Sequence, residues 1–306
     1  MNLIGVDIGG TKCALSVPDG PDRVREVVRF ATTDVRGTLD RIYAEIARLS
    51  PRDPVFGVSC GGPLDSTRGL ILSPPNLPGW DRIPITAELT QRFGGRAFLM
   101  NDANACALAE WQFGAGRGCQ SLMFLTMGTG MGAGLILDGR LYEGITGNAG
   151  EVGHIRMAAD GPVGYGKAGS FEGFCSGGGI AQLARRRAAE FPGPSTLQSL
   201  APDALTARAV GEAAAAGDAL ALALWREVGE RLGEALAVFI DVLNPERIVI
   251  GSIYQRCERF IAPAMQAVIN REALAASARD CQVVPAQLGD EIGAAAAVAI
   301  AHYHAR

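Results

Sequence analysis

The chain has 306 residues, of which 48% are apolar and 40 are glycine, and its 28 basic and 32 acidic residues give a formal net charge of −4. The length suggests roughly two domains, each able to bury a sizeable core. The balanced charge shows no basic stripe for nucleic acid, no run of about 18 apolar residues crosses a membrane, and about 13% glycine (40 of 306) without a Gly-X-Y period excludes collagen.

The opening Met1–Asp7 lacks the basic start and apolar core of a signal peptide. Strand-like runs follow at 3–8, 13–17 and 26–31, the first two joined across Gly9-Gly10-Thr11. Leu39, Ile42, Ile46 and Leu49 recur at helical spacing and predict a helix over 38–49. A strand is expected at 55–59, then Gly- and Pro-rich loops at 61–63 and 73–79, a helix at 86–93, a strand at 97–100 and a helix at 103–112. Such alternation points to a layered α/β domain. The composition shifts at 114–118. A strand at 121–127 and a hairpin of 133–137 with 140–142 across Asp138-Gly139 come next, and 144–179 read as loops. Alanine-rich helices fill 180–243. A strand at 247–251, a helix at 254–269, a strand at 281–285 and a helix at 290–303 end the chain. Seven cysteines (13, 60, 106, 119, 175, 257 and 281) include no CxxC pair, which fits reduced thiols in a cytoplasm and buried apolar packing.

Four segments have the residue types for chemistry. Gly5–Lys12 places Asp7, Gly9, Gly10, Thr11 and Lys12 after a strand, where glycine backbone N–H groups can face a phosphate and Asp7 can hold Mg²⁺ through water; an ordinary polar hairpin is the alternative. Gly128-Thr129-Gly130-Met131-Gly132 repeats that arrangement weakly and is neither a P-loop nor a Rossmann fingerprint. Gly164–Gly169 does satisfy GxGxxG, but it follows Asp160-Gly161-Pro162 rather than a buried strand, so dinucleotide binding is not expected there. Asn101-Asp102-Ala103-Asn104 ends a strand and opens a helix, so Asp102 is either a general base or a helix cap. Glu151, His154 and Glu172 offer donors and acceptors suited to sugar hydroxyls, or form an unremarkable surface group. No ligand cluster surrounds His154, so zinc is not expected.

Taken together, Asp7–Lys12, Gly61-Gly62-Pro63, Ser73–Trp80, Asn101–Asn104, Leu125–Gly134, Gly150–His154, Asn244–Gly251 and Leu288-Gly289-Asp290 resemble the ROK family of bacterial sugar kinases and repressors, within the actin-like ATPase superfamily. The resemblance implies an α/β fold of two domains, ribonuclease H-like, with an interdomain cleft that closes over substrate. It places a small domain at 1–116 joined by the C-terminal helix at about 288–306, and a large domain at 117–287. It implies an ATP- and Mg²⁺-dependent kinase acting on the 6-hydroxyl of a hexose or N-acetylhexosamine. Asp102 would be the general base, and Gly62, Asn76, Asn101, Glu151, His154 and Glu172 would bind the sugar. Asp7, Gly9, Gly10, Thr11 and Lys12 would face the phosphates and Mg²⁺, with Gly128, Thr129 and Gly130 as a second phosphate loop and Gly251 near the adenosine. It further implies a homo-oligomer, dimer or tetramer; the cysteine usage, balanced charge and lack of a long apolar run point to a cytoplasmic protein without nucleic-acid or membrane partners.

The chain departs from the family clearly at one motif, and in a smaller way at Gly251-Ser252, where the family usually has paired glycines. Where most members have Cys-x-Cys-Gly-x-x-Gly-Cys-x-Glu, this sequence has Gly164, Gly166 and Ser170 in the cysteine positions and a loop one residue shorter, keeping only Glu172. A zinc-free loop held by packing of Phe171 and Phe174 is therefore expected, with the identity of the sugar left open. A sugar sensor of the same fold is the alternative to a kinase. A DNA-binding repressor is disfavoured because the first motif begins at Gly5, leaving no room for a helix-turn-helix.

Overall fold

The computed structural model describes residues 2–20 and 23–305. In chain order the elements are β1 (Asn2–Ile8), β2 (Lys12–Pro18), β3 (Val24–Ala31), α1 (Val35–Leu49), β4 (Pro54–Cys60), β5 (Leu64–Asp65), β6 (Leu70–Leu72), β7 (Asp81–Ile83), α2 (Ile85–Phe93), β8 (Arg96–Asn101) and α3 (Asp102–Phe113). They continue with β9 (Leu122–Met127), β10 (Met131–Leu137), β11 (Arg140–Tyr142), β12 (Val163–Gly164), β13 (Lys167–Ala168), α4 (Phe171–Cys175), α5 (Gly177–Glu190), α6 (Ala207–Ala215) and α7 (Ala219–Leu243). The last are β14 (Arg247–Ile250), α8 (Ile253–Glu272), α9 (Ala275–Asp280), β15 (Gln282–Pro285) and α10 (Ile292–Ala305).

The chain divides into two compact units. One comprises Met1–Cys119, Gly134–Ala149 and Gln287–Arg306, the other Gln120–Ala133 and Gly150–Ala286. Residues 134–149, read with the second domain from sequence, thus fall in the first unit. Gly134 lies close against Ala103 and Ala107 of α3, and the Leu141 N–H donates to the Tyr303 hydroxyl at 3.3 Å.

The first unit is built on a sheet of order β3-β2-β1-β4-β8. β1 pairs antiparallel with β2 and parallel with β4, which pairs parallel with β8. Every residue of β4 is buried, as a central parallel strand requires. α1 follows from its sequence: Asp34 accepts the Gly37 N–H at the N-cap, Ile42 and Ile46 face the core, and Ser50 ends the helix with a left-handed φ of 45°. α10 packs on β1 and β4, and its alanines allow a close approach. A Cβ at Gly57 would lie 2.1 Å from the Ala297 carbonyl oxygen. Gly5 and Gly57 therefore serve helix–sheet packing, not a ligand loop.

The second sheet has the same plan, β11-β10-β9-β14-β15, and the boundary between the units falls within β10. β9, β14 and β15 are parallel neighbours, and α7 packs along α8 with Gly229 and Gly233 at the contact.

Three pieces differ from the sequence reading. The Gly- and Pro-rich stretch holds a small sheet, β5-β6-β7, and residues 144–179 hold a 3₁₀ turn at Val152–His154, the β12–β13 hairpin and α4. α9 was likewise not expected. Elements of two to six residues are too short to display a period, and a Gly-rich helix start has low propensity. Among the described residues, no helix is long and apolar enough to cross a membrane.

Candidate active site

In the first unit β1 delivers Asp7 to the sheet end, and the β1–β2 hairpin turns through Gly9-Gly10-Thr11, closed by a Gly9 N–H to Lys12 carbonyl bond of 3.0 Å. A Cβ at Gly10 would lie 2.3 Å from the Asn76 carbonyl oxygen, so only glycine lets this turn meet Asn76. Asn76 is held there by its own loop. Leu77 and Trp80 are buried as anchors, and the Ser73 N–H donates to the Trp80 carbonyl at 2.8 Å. The Gly62-Pro63 peptide, following β4, is cis.

Asp102 opens α3 at the end of β8. Its neighbour Asn101 is the N-cap, accepting the Asn104 N–H at 2.8 Å, which leaves Asp102 free of the capping task. Asp102 accepts the Ala103 N–H at 2.9 Å and remains solvent-accessible. The surrounding protein nevertheless raises its pKa above the ordinary carboxylate value by desolvation, against a lowering from backbone hydrogen bonds. Asp7 is also raised, from 3.8 to about 6, by burial first and then by the charge of Asp102, with Lys12 and Arg29 pulling it down. The Cys60 thiol is pushed up to about 12 by burial and the same two carboxylates, which keeps it protonated and inert. Asp7 fits a Mg²⁺ ion: its oxygens are hard donors, and a dication would favour the carboxylate that burial and the Asp102 charge disfavour.

In the second unit the β9–β10 hairpin turns through Gly128-Thr129-Gly130, closed by a Gly128 N–H to Gly130 carbonyl bond of 3.1 Å. Two other segments come to it. The Gly128 carbonyl accepts the Gly177 N–H at 2.8 Å, so the first turn of α5, capped by Ser176, abuts the hairpin. A Cβ at Gly128 would lie 3.6 Å from the Ser252 hydroxyl, which brings Gly251-Ser252 alongside. A helix N-terminus beside a glycine hairpin attracts anions. Sequence reading missed Ser176–Gly179; the signal was an N-cap serine before glycines and the helical run that begins at Ile180.

Glu172, read as a sugar ligand, lies against this same hairpin: its Oε2 accepts the Met131 N–H at 3.0 Å. Glu151 precedes the 3₁₀ turn and His154 is its last residue, both exposed, and the His154 and Tyr165 rings meet edge to face at 6.3 Å. Phe171 and Phe174 are buried as expected, Phe171 against Phe239 at 5.9 Å and Phe174 beneath the Arg231 guanidinium at 4.7 Å. The residues in the cysteine positions do not fit zinc. Gly164 and Gly166 carry no donor, and the buried Ser170 hydroxyl is occupied by the Gly173 N–H and the Gly164 carbonyl.

The profile of the ROK family matches residues 3–304. The chain belongs to the ROK family. Its fold is the actin-like ATPase fold of the ROK sugar kinases. The glucokinase of Thermotoga maritima is 33% identical over 279 residues, covering 88% of each chain. The crystal structure of a ROK glucokinase from Streptomyces griseus, in complex with glucose and AMPPNP, is 30% identical with a TM-score of 0.75 and covers 99% of each chain. The ROK relatives also include the xylose repressor of Caldicellulosiruptor bescii, 27% identical over 94% of this chain and 75% of that protein.

Proposed function

We propose that this chain is an ATP-dependent sugar kinase that moves the γ-phosphate of ATP to the 6-hydroxyl of a hexose or N-acetylhexosamine, with Asp102 as general base. The observation that carries this reading is the Asp102 carboxylate, accessible at a strand end, uncommitted to capping and raised in pKa. A base must be reachable and able to take a hydroxyl proton, and the exposure of Asp102 and the upward direction of its pKa support that reading. The similarity to glucokinases, one of them in complex with glucose and AMPPNP, supports the same reaction class.

In the step, the sugar hydroxyl gives its proton to Asp102 as its oxygen bonds to the γ-phosphorus. The bond from that phosphorus to the β,γ-bridging oxygen breaks, and ADP leaves with the electron pair. Gly62, Asn76, Asn101, Glu151, His154 and Glu172 bind and orient the sugar. Gly9, Gly10, Thr11 and Lys12, with Gly128, Thr129, Gly130, Gly251 and the α5 N-terminus, present donors to ATP. Asp7 is the residue that would hold Mg²⁺ through water. Bound there, Mg²⁺ neutralises charge on the phosphates.

The test is ADP release with Mg-ATP across a panel of hexoses and hexosamines, repeated with Asp102→Ala. Turnover on at least one sugar is expected, and the variant should lose about 10²- to 10⁴-fold with sugar binding kept. Wild-type turnover by the variant would refute the assignment. The repressor relative and the replaced cysteines favour one second reading, a sugar sensor of the same fold. That reading requires sugar binding by calorimetry without ADP release from any sugar.

A further inference from the structure

The segment from His154 to Gln182 of the second unit is tied together by main-chain and side-chain hydrogen bonds. Main-chain bonds run from Phe171 N–H to the Ile155 carbonyl at 2.8 Å, from Met157 and Ala158 N–H to the Gly169 carbonyl at 2.8 and 3.1 Å, and from Gly169 N–H to the Pro162 carbonyl at 3.0 Å. Three side chains complete the set. Arg156 Nη1 donates to the Ala168 carbonyl at 3.0 Å and reaches those of Ala158 and Ala159 at 3.4 and 3.5 Å. Gln182 of α5 holds both main-chain groups of Val163, accepting its N–H at 2.9 Å and donating to its carbonyl at 2.8 Å. Lys167 Nζ donates to the His154 carbonyl at 2.7 Å.

A side chain has no room at the first cysteine position: a Cβ at Gly164 would lie 2.5 Å from the Gly173 nitrogen and 2.7 Å from the Glu172 Cβ. His154 ends a single 3₁₀ turn, and one turn has little stability of its own. A charge-assisted hydrogen bond to the last carbonyl of that turn fixes the backbone that aims the imidazole. The β12–β13 hairpin bears on this histidine twice, through the Lys167 ammonium and through the ring of Tyr165 at its turn.

We propose that Arg156, Lys167 and Gln182 form a metal-free clasp on this loop, in which Lys167 is the positioning residue for His154. The inference rests on the reading of His154 as a sugar ligand.

The test is Lys167→Met in the full chain. Its sugar KM should rise about tenfold, the effect of losing one charge-assisted bond, while kcat and the ATP KM stay within about twofold. Lys167→Arg, which keeps a cationic donor, should restore much of the sugar KM. Without ligand, the amides of 152–156 should exchange hydrogen faster in Lys167→Met than in wild type. Unchanged sugar KM together with unchanged exchange would overturn the proposal, as would equal rises in both substrate KM values. Metal analysis finding one zinc per chain, whose removal speeds exchange over 156–170, would overturn it too. His154→Ala separates the two readings: if it leaves sugar KM unchanged, the sugar role of His154 fails, and the exchange rates alone decide the clasp.

Discussion

Asp7→Asn separates what the proposed active site costs from what it does. Asp7 has a pKa of about 6 against an ordinary value of 3.8, raised by burial and then by the Asp102 charge. A folded-state pKa above the unfolded one means that the proton favours folding. Its contribution is full below pH 3.8 and is lost as pH rises through about 6. A shift of about 2 units corresponds to about 3 kcal/mol at neutral pH, and linkage places about 1.4 kcal/mol of that between pH 5 and pH 7.5. Asparagine keeps the shape and removes the charge. In urea unfolding without nucleotide or Mg²⁺, the variant should be more stable than wild type by about 3 kcal/mol at pH 7.5 and about 1.6 kcal/mol at pH 5, while sugar phosphorylation is lost. A gap absent at pH 7.5, or one that does not shrink toward pH 5, would show that the buried carboxylate is not the source of strain.

Gly10→Ala should displace Asn76, because its Cβ would lie 2.3 Å from the Asn76 carbonyl oxygen and 2.8 Å from the Asn76 Cβ; steady-state kinetics should show the sugar KM up by at least about tenfold, or about 1.4 kcal/mol. Glu110 is fully buried on α3 and accepts the N–H groups of Ala115, Gln287 and Leu288 at 2.7, 3.1 and 2.9 Å. Glu110→Gln removes the charge from all three bonds and puts an amide donor among donors, so thermal unfolding should report a loss of about 2–4 kcal/mol.

The elements legible in the sequence were those whose period or run length exceeded the noise. β4 is a continuous apolar run because it is buried on both faces, and α1 carries an apolar stripe because only one face is. β5, β6 and β7 escaped notice since their pairing, Ile71 with Ile83 for example, joins fragments of two or three residues. Asp102 was legible as a carboxylate at a strand-to-helix junction, but the choice between base and cap was not. The structure gives the cap to Asn101. The contact of Gly10 with Asn76 spans 66 positions and leaves no local trace. Nor does glycine content separate its uses. Gly10 and Gly164 admit neighbouring backbone, whereas Gly5 and Gly57 admit α10.

The weak repeat between Asp7–Thr11 and Thr126–Gly130 corresponds to a strong one in structure, two sheets of the same order each turning through a glycine hairpin. Its weakness in sequence has a physical cause at the first position. Thr126, the counterpart of Asp7, is satisfied within its own hairpin, its hydroxyl accepting the Gly132 N–H at 3.0 Å. Asp7 instead carries the penalty of burial beside Asp102, offset only in part by the charges of Lys12 and Arg29. If hairpin formation alone chose the residue, a hydroxyl would serve at both places at no electrostatic cost. On the proposed reading the acid is at 7 because a cation held against phosphate needs a hard anionic donor there. The stability gained by Asp7→Asn is the measure of that demand, and its disappearance on adding Mg²⁺ to the wild-type protein would identify the cation as what the carboxylate awaits.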